Sequence, residues 1–325
     1  IAARRGKDIT LEVGDNIQVQ DEDEVISYIS KIDGQLVWEG NRISVEPVLT
    51  IQGDVGPKTG NINFNGVVAV QGSIADGFNV LAGKDITVNG NVGSSVVQAG
   101  GCIVVKNGII GKNRGLVYAK GNVTVKFAEN SEIRAGGNID IKRAALNCSL
   151  IAGGRVISLT EKGQIIGGVL KAGEGVEAKI LGNESEHKME VHVGSDFVVE
   201  VKLRALRKEL AKYQSVLKKM FFLIEKVKKV YTDLDKLPEK ILATYNEARK
   251  RATALKIAIK NLKEKEQQYL AKFSDVHDSE VVVRESLYKG VRIYFGTAVY
   301  EPEDTKSKIR ISYNSDTQKV HVDLL

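Results

Sequence analysis

A chain of 325 residues has room for two domains or for one large repeat domain with an insertion, and 42% hydrophobic residues suffice for a packed core, which excludes global disorder. Its 32 glycines against 4 prolines fall mostly in the first 180 residues, which implies many tight turns there. The net charge of +6 is uneven: residues 195–275 hold 20 Lys+Arg against 11 Asp+Glu, or +9, leaving −3 for the remainder.

No stretch approaches the roughly 18 apolar residues of a membrane span. Two cysteines, Cys102 and Cys148, without CxxC spacing or clustered histidines, argue against a disulfide framework or a zinc site and for a reducing cytoplasm. The opening Ile1-Ala2-Ala3-Arg4-Arg5 reads as a fragment or a processed start, so a lost targeting segment stays open.

In chain order, residues 1–52 read as short strands that cap one end of a repeat region. Leu11, Val13, Ile17 and Val19 alternate there, before an acidic loop at Asp21-Glu22-Asp23-Glu24. The repeat takes over from residue 53. A small residue followed closely by Gly returns at Ala82-Gly83, Ala99-Gly100, Ala119-Lys120-Gly121, Ala135-Gly136, Ala152-Gly153 and Ala172-Gly173, at intervals of 17, 20, 16, 17 and 20, with Phe64 lying 18 before Ala82. Two residues before each anchor stand Ile62, Val80, Val97, Val117, Ile133, Leu150 and Leu170. Four after stand Val68, Ile86, Ile103, Val123, Ile139, Val156 and Val176. Six after, the series Val70, Val88, Val105, Val125, Ile141 weakens to Ser158 and Ala178. Alternate residues of a strand face one side, so these columns face inward and the Ala-Gly pairs mark corners. A unit of this size cannot bury its apolar face alone, whereas stacked coils build one core. Residues 53–194 are therefore expected to form a parallel β-helix. Strict 18-residue turns would suit a left-handed hexapeptide solenoid; variable intervals favour the right-handed form.

After Gly194 the composition changes. Leu203, Leu206, Leu210, Tyr213, Leu217, Met220, Ile224, Val227, Tyr231 and Leu234 follow a 3,4 spacing. A turn at Asp235-Lys236-Leu237-Pro238 precedes a second seam, Ile241, Tyr245, Ala248, Ala252, Leu255, Ile259, Leu262, Glu266, Tyr269 and Phe273. Residues 195–275 thus read as an antiparallel coiled-coil hairpin inserted into the solenoid. Residues 276–325 return to strands, with Val281, Val283, Ile293 and Ile311 among their apolar positions, and are expected to pack back on the last coil.

Gly53-Asp54-Val55-Gly56, Thr59-Gly60-Asn61-Ile62-Asn63-Phe64, Asp76-Gly77-Phe78, Ala99-Gly100-Gly101, Gly108-Ile109-Ile110-Gly111-Lys112, Lys126-Phe127-Ala128-Glu129, Gly167-Gly168 and Val193-Gly194 together resemble the bacterial flagellar assembly protein A (FapA) family over roughly residues 30–300. That resemblance implies a right-handed parallel β-helix carrying a hairpin, a cytoplasmic location and a role in flagellar assembly or placement. It carries no catalytic residue and no cofactor.

Candidate chemistry is sparse. The histidines are His187, His192, His277 and His321, none within coils 53–176, so a histidine base between coils is disfavoured. Asp54, Asp76, Asp85 and Asp140 occupy different offsets from their anchors and read as turn residues rather than a paired acid and base. The run Gly163-Gln164-Ile165-Ile166-Gly167-Gly168 lacks GxxxxGK[ST] and reads as corners. Cys102 and Cys148 read as packing residues, and Asn89, Asn122 and Asn138 as outward polar residues that no spacing selects. The one charged feature is the set Lys218, Lys219, Lys226, Lys228, Lys229, Arg249, Lys250 and Arg251, a candidate partner-binding surface to be weighed against an ordinary solvated coiled-coil exterior. A protein partner, flagellar or at the cell pole, is the leading reading. Contact with an anionic surface and homo-oligomerisation stay open; nucleic acid is disfavoured because the tyrosines lie in the seams. The leading function is a non-enzymatic scaffold, followed by a self-polymerising structural protein and then a groove-binding enzyme.

Overall fold

The computed structural model describes residues 11–22, 25–195, 197–231, 238–273, 278–314, 316–317 and 319–325. The expected turn at 235–237, the seam residue Leu234 and His277 lie outside them. By contacts the chain divides into two units, Ile1–Gly194 with His277–Leu325, and Ser195–Val276.

The first unit opens with β1 (Glu12–Val13), β2 (Ile17–Glu22), β3 (Val25–Ser30), β4 (Gln35–Glu39) and β5 (Arg42–Glu46). Strands β2 and β3 form a two-stranded antiparallel ribbon, while β5 pairs with β4 antiparallel and with β1 in parallel. Their own core is small: Ile17, Ile43 and Val45, with Leu11 and Tyr28 against it.

The solenoid begins at β6 (Val48–Ile51). It continues through β7 (Ile62–Phe64), β8 (Val67–Val70), β9 (Val80–Ala82), β10 (Ile86–Val88), β11 (Val96–Ala99), β12 (Ile103–Ala119), β13 (Val123–Ala135), β14 (Ile139–Ala152), β15 (Arg155–Ser158), β16 (Gln164–Ala172), β17 (Gly175–Leu181) and β18 (Met189–Val193). Every pairing among these strands is parallel.

The registers follow the repeat. Phe64 pairs with Ala82, and the column continues through Ala99, Ala119, Ala135, Ala152 and Ala172 to Val193. The column four residues on, from Val68 to Val176, is fully buried. Where the next column weakens, Ser158 still points inward, and its hydroxyl donates to the Ile141 carbonyl at 3.0 Å, satisfying a group that would be costly to bury alone. The corners turn on backbone proximity. A Cβ at Gly100 would stand 2.1 Å from the Gly83 carbonyl oxygen, and one at Gly136 would stand 2.1 Å from that of Lys120. In the third repeat Lys120 donates its N–H to the Ala99 carbonyl, as Gly136 does to Ala119; Gly121 stands one place further on, bonded to Gly101.

A third buried column was not expected from the repeat. Val55, Ile74, Val92 and Ile109 are linked by isolated parallel bridges, and the column runs on through Ala128, Ala145, Ile165 and Leu181. All eight are at most 1% exposed.

The second unit holds α1 (Phe197–Val230) and α2 (Glu239–Phe273). Arg207 of α1 donates to Glu266 of α2 at 2.7 Å, and Lys256 of α2 lies 4.9 Å over the Phe221 ring of α1, so low numbers on one helix face high numbers on the other: the pair is antiparallel. The seam residues with described side chains are buried or half-buried. Its one polar member, Glu266, is there with an arginine partner.

After the hairpin the first unit resumes with β19 (Ser279–Leu287) and β20 (Val291–Phe295), followed by β21 (Ala298–Tyr300), β22 (Ile309–Asn314) and β23 (Lys319–Leu324). The first two complete another coil, β19 parallel to β17 and β20 parallel to β18, before the remaining three turn antiparallel. Val193 pairs with Phe295, 102 residues away; less the 82 residues of Ser195–Val276 that interval is 20, an ordinary coil. Strand β22 then covers the free edge of β19, and β21 covers that of β20. At this closed end the anchor column enlarges from Ala to Val193 and Phe295, and Tyr313 stacks on Phe295 at 5.7 Å between centroids.

Candidate functional site

The polar residues that invite a catalytic reading are committed to holding coils together. Asp54 accepts the Ser73 N–H at 2.7 Å, the Ser73 hydroxyl oxygen accepts that of Asn91 at 3.0 Å, and Asn91 accepts that of Gly108 at 3.0 Å. A second ladder follows the third residue after each anchor. Asp85 accepts the Cys102 N–H, the Cys102 sulfur receives that of Asn122 at 3.4 Å, Asn122 accepts from Asn138, and Asn138 from Arg155. Cys102 is therefore a ladder member rather than filler, and Asn122 and Asn138 are selected by a spacing after all. Asp76 accepts the Ser94 N–H and pairs with Lys112; the Lys112 hydrogen bond, then the Ser94 amide, hold its carboxyl below the ordinary range. Asp140 pairs with Lys142. Asn89 donates to Gln71 on the neighbouring coil.

The other candidates disperse similarly. His192 stacks on Tyr294 at 4.5 Å, His187 lies against Asn183, and His321 is exposed on β23. Cys148 is buried beside the Ser131 hydroxyl at 3.4 Å, and burial pushes its thiol up. Gly163, Gly167 and Gly168 all have left-handed backbones, which fits corners rather than a cradle. A polar groove of about 400 Å³ borders β19, β22 and β23 and is lined by Glu174, Asp278 and Glu280; Glu174 and Glu280 both pair with Arg155, at 4.0 and 3.2 Å, and Glu280 also lies 3.5 Å from Arg310. Among the described residues no group of three or more His, Cys, Asp or Glu could hold a metal, and no helix is long and apolar enough to cross a membrane.

The hairpin differs. Numbering its heptads from the seam places Arg204, Lys208, Lys212, Lys218, Lys219, Lys226 and Lys229 on the outer face of α1, all exposed, with Glu225 the only carboxylate there. At 1.5 Å per residue this cationic stripe extends about 38 Å. Apart from Arg204, which pairs with Glu200, these cations have no carboxylate partner among the described residues. In their midst stands Phe222, 69% exposed. The outer face of α2 is balanced, with Lys250 and Lys260 against Glu247 and Glu264.

The eight basic residues expected to act together therefore separate. Lys218, Lys219, Lys226 and Lys229 belong to the α1 stripe, and Lys228 lies beside its seam. Arg251 pairs with Glu247 at 2.6 Å and Arg249 sits 5.8 Å over the Tyr245 ring, both on α2. Arg204, Lys208, Lys212 and Phe222 were missed, although the first three stand four residues apart and Phe222 stands four after Lys218 and seven before Lys229.

The family model described as the Flagellar Assembly Protein A beta solenoid domain matches residues 47–318, from the first solenoid strand to the antiparallel cap and across the hairpin. Neither a curated protein nor a solved structure matches the chain.

Proposed function

The chain belongs to the flagellar assembly protein A family, and from that premise we propose that it serves flagellar assembly or placement as a non-enzymatic cytoplasmic scaffold. In this reading the solenoid is a stiff body, and the hairpin is the arm that engages an acidic protein partner. The observation that carries it is the one-sided charge of α1. A coiled-coil exterior that is merely solvated alternates its signs, as that of α2 does, whereas seven cations against Glu225 form a field that steers and holds an anionic surface. No cofactor enters this role. Self-polymerisation by end-to-end stacking of solenoids is weaker, because β21 and β22 occupy the edges on which a further parallel coil would stack. An enzymatic groove is weaker still, since two of its three carboxylates, Glu174 and Glu280, are paired with Arg155.

The test is replacement of Lys218, Lys219, Lys226 and Lys229 by Glu in the source organism, with flagella counted and located on single cells. Loss or misplacement of flagella at normal protein level supports the arm. Normal flagella with the reversed stripe would overturn it.

A further inference from the structure

Residues 11–46 are a poorly covered piece of the fold. Among the described residues the ribbon β2–β3 pairs only with itself, and two-stranded ribbons are marginal in water. On the ribbon Val25 is 61% exposed and Ile26 55%, and on β4 of the separate three-stranded sheet Leu36 is 61% and Trp38 60% exposed. An apolar concentration of this kind marks a surface that another molecule covers.

Charge indicates which kind. By sequence, residues 11–46 carry nine Asp+Glu against Lys31 and Arg42, a net −7. Asp21 stands directly across the ribbon from Ile26 and Glu22 from Val25, one pair on each face, so each face of the ribbon sets a carboxylate beside an exposed apolar side chain. Two such layers would repel one another. The layer calls for an occupant that is cationic and also presents an apolar anchor, and the outer face of α1 has both, with Phe222 among Lys218, Lys219 and Lys226.

We propose that the outer face of α1 of one molecule docks on the acidic, apolar β2–β3 ribbon of a second copy of this chain, with Phe222 as the anchor and the lysines facing the carboxylates of β2. This rests on reading the hairpin as a contact arm and names a partner for it. The contact is head-to-tail, since the two surfaces differ, and each copy keeps one of each surface free for the next.

Sedimentation velocity on the purified chain tests it, from about 1 to 100 µM, since mass action must show in the mean mass. Salt of about 50 and 500 mM spans weak to strong screening. The expected result is a mass that rises with concentration at low salt and returns to that of the monomer at high salt. A Lys218→Glu/Lys219→Glu chain and an Asp21→Lys/Glu22→Lys chain should each be monomeric alone, with unchanged circular dichroism, and should associate when mixed. Phe222→Ser and a Val25→Ser/Ile26→Ser chain should each weaken association by about tenfold or more, as loss of a central anchor does. A wild-type chain monomeric throughout at low salt would mean that something else covers the layer, and would overturn the proposal. So would reversed chains that still self-associate, or a mixture that does not associate. Failure here leaves the arm reading to its own test: the four-lysine reversal reports on flagella whether or not the pure protein self-associates.

Discussion

Gly136→Ala isolates what holds the corners. Gly136 does not have the left-handed backbone that would itself penalise alanine; its constraint is that the new Cβ would lie 2.1 Å from the Lys120 carbonyl oxygen, where ordinary contact begins near 3.4 Å. Relief requires the two coils to part locally by about 1.3 Å, which strains the 3.0 Å bond from the Gly136 N–H to the Ala119 carbonyl. Overpacking of this kind costs about 1–3 kcal/mol and a weakened hydrogen bond about 1 kcal/mol, while the stiffer unfolded chain returns about 0.4–1 kcal/mol. The net is a loss of about 1–3.5 kcal/mol. For a unit of this size that lowers the melting temperature by about 2–14 °C. Gly53→Ala is the matched control, because its Cβ would meet nothing within 4 Å and its backbone is ordinary. Thermal unfolding followed in the sheet band of the circular dichroism spectrum separates them. A Gly136→Ala protein melting within about 1 °C of wild type, or a Gly53→Ala protein falling as far, would refute coil-to-coil proximity as the reason for glycine at the corners.

Three further outcomes are expected. Asn138→Ala removes the acceptor of the Arg155 N–H and should lower stability by about 1 kcal/mol in urea titration, while Asn138→Asp, which keeps an acceptor, should stay close to wild type. Glu266→Leu replaces the one polar seam residue and gives up a partly exposed ion pair of little worth; helix unfolding in the whole chain should shift upward by about 1 kcal/mol, and a downward shift would mean that the Arg207 pair matters more than packing. Cys148 should resist a thiol reagent that labels half-buried Cys102. Because burial raises its pKa above the ordinary 9.0, the folded chain keeps its proton where the unfolded chain loses it. This contribution is present below pH 9.0 and is lost as pH rises through the folded value, so the stability gap between wild type and Cys148→Ala should narrow there.

Two walls of the solenoid were legible because their strands place two or three alternating apolar residues in every coil, as Ile86 and Val88 do, so the period repeats where it can be seen. The third wall was not, since in the early coils it consists of single residues, Val55, Ile74 and Val92, and one residue has no alternation. The side-chain ladders were hidden differently. Asp85, Cys102, Asn122 and Asn138 share one offset, yet they share only the capacity to accept a hydrogen bond, and a thiol among amides disguises the series. The hairpin seams were visible as heptads, but their basic residues were grouped along the chain. Only placement around the helix separates the α1 stripe from Arg249 and Arg251, which have partners of their own. That the strands beyond the hairpin first complete a parallel coil, rather than only cap the last one, was unreadable because the coil interval is interrupted by 82 residues.

That interruption orders events on the ribosome. Strands β17 and β18 emerge with one edge each unpaired, and the strands that cover them, β19 and β20, lie beyond the whole hairpin. At roughly 5–20 residues per second, synthesis of the intervening 82 residues takes about 4–16 s. During that interval the nascent solenoid ends in open parallel edges, the kind that recruit other extended chains. A hairpin that closes on its own local contacts far faster than it is synthesised brings its two ends together as soon as it is complete. The final coil then reaches the waiting edge with no long loop to search, so the inserted helices set the moment at which the solenoid can close.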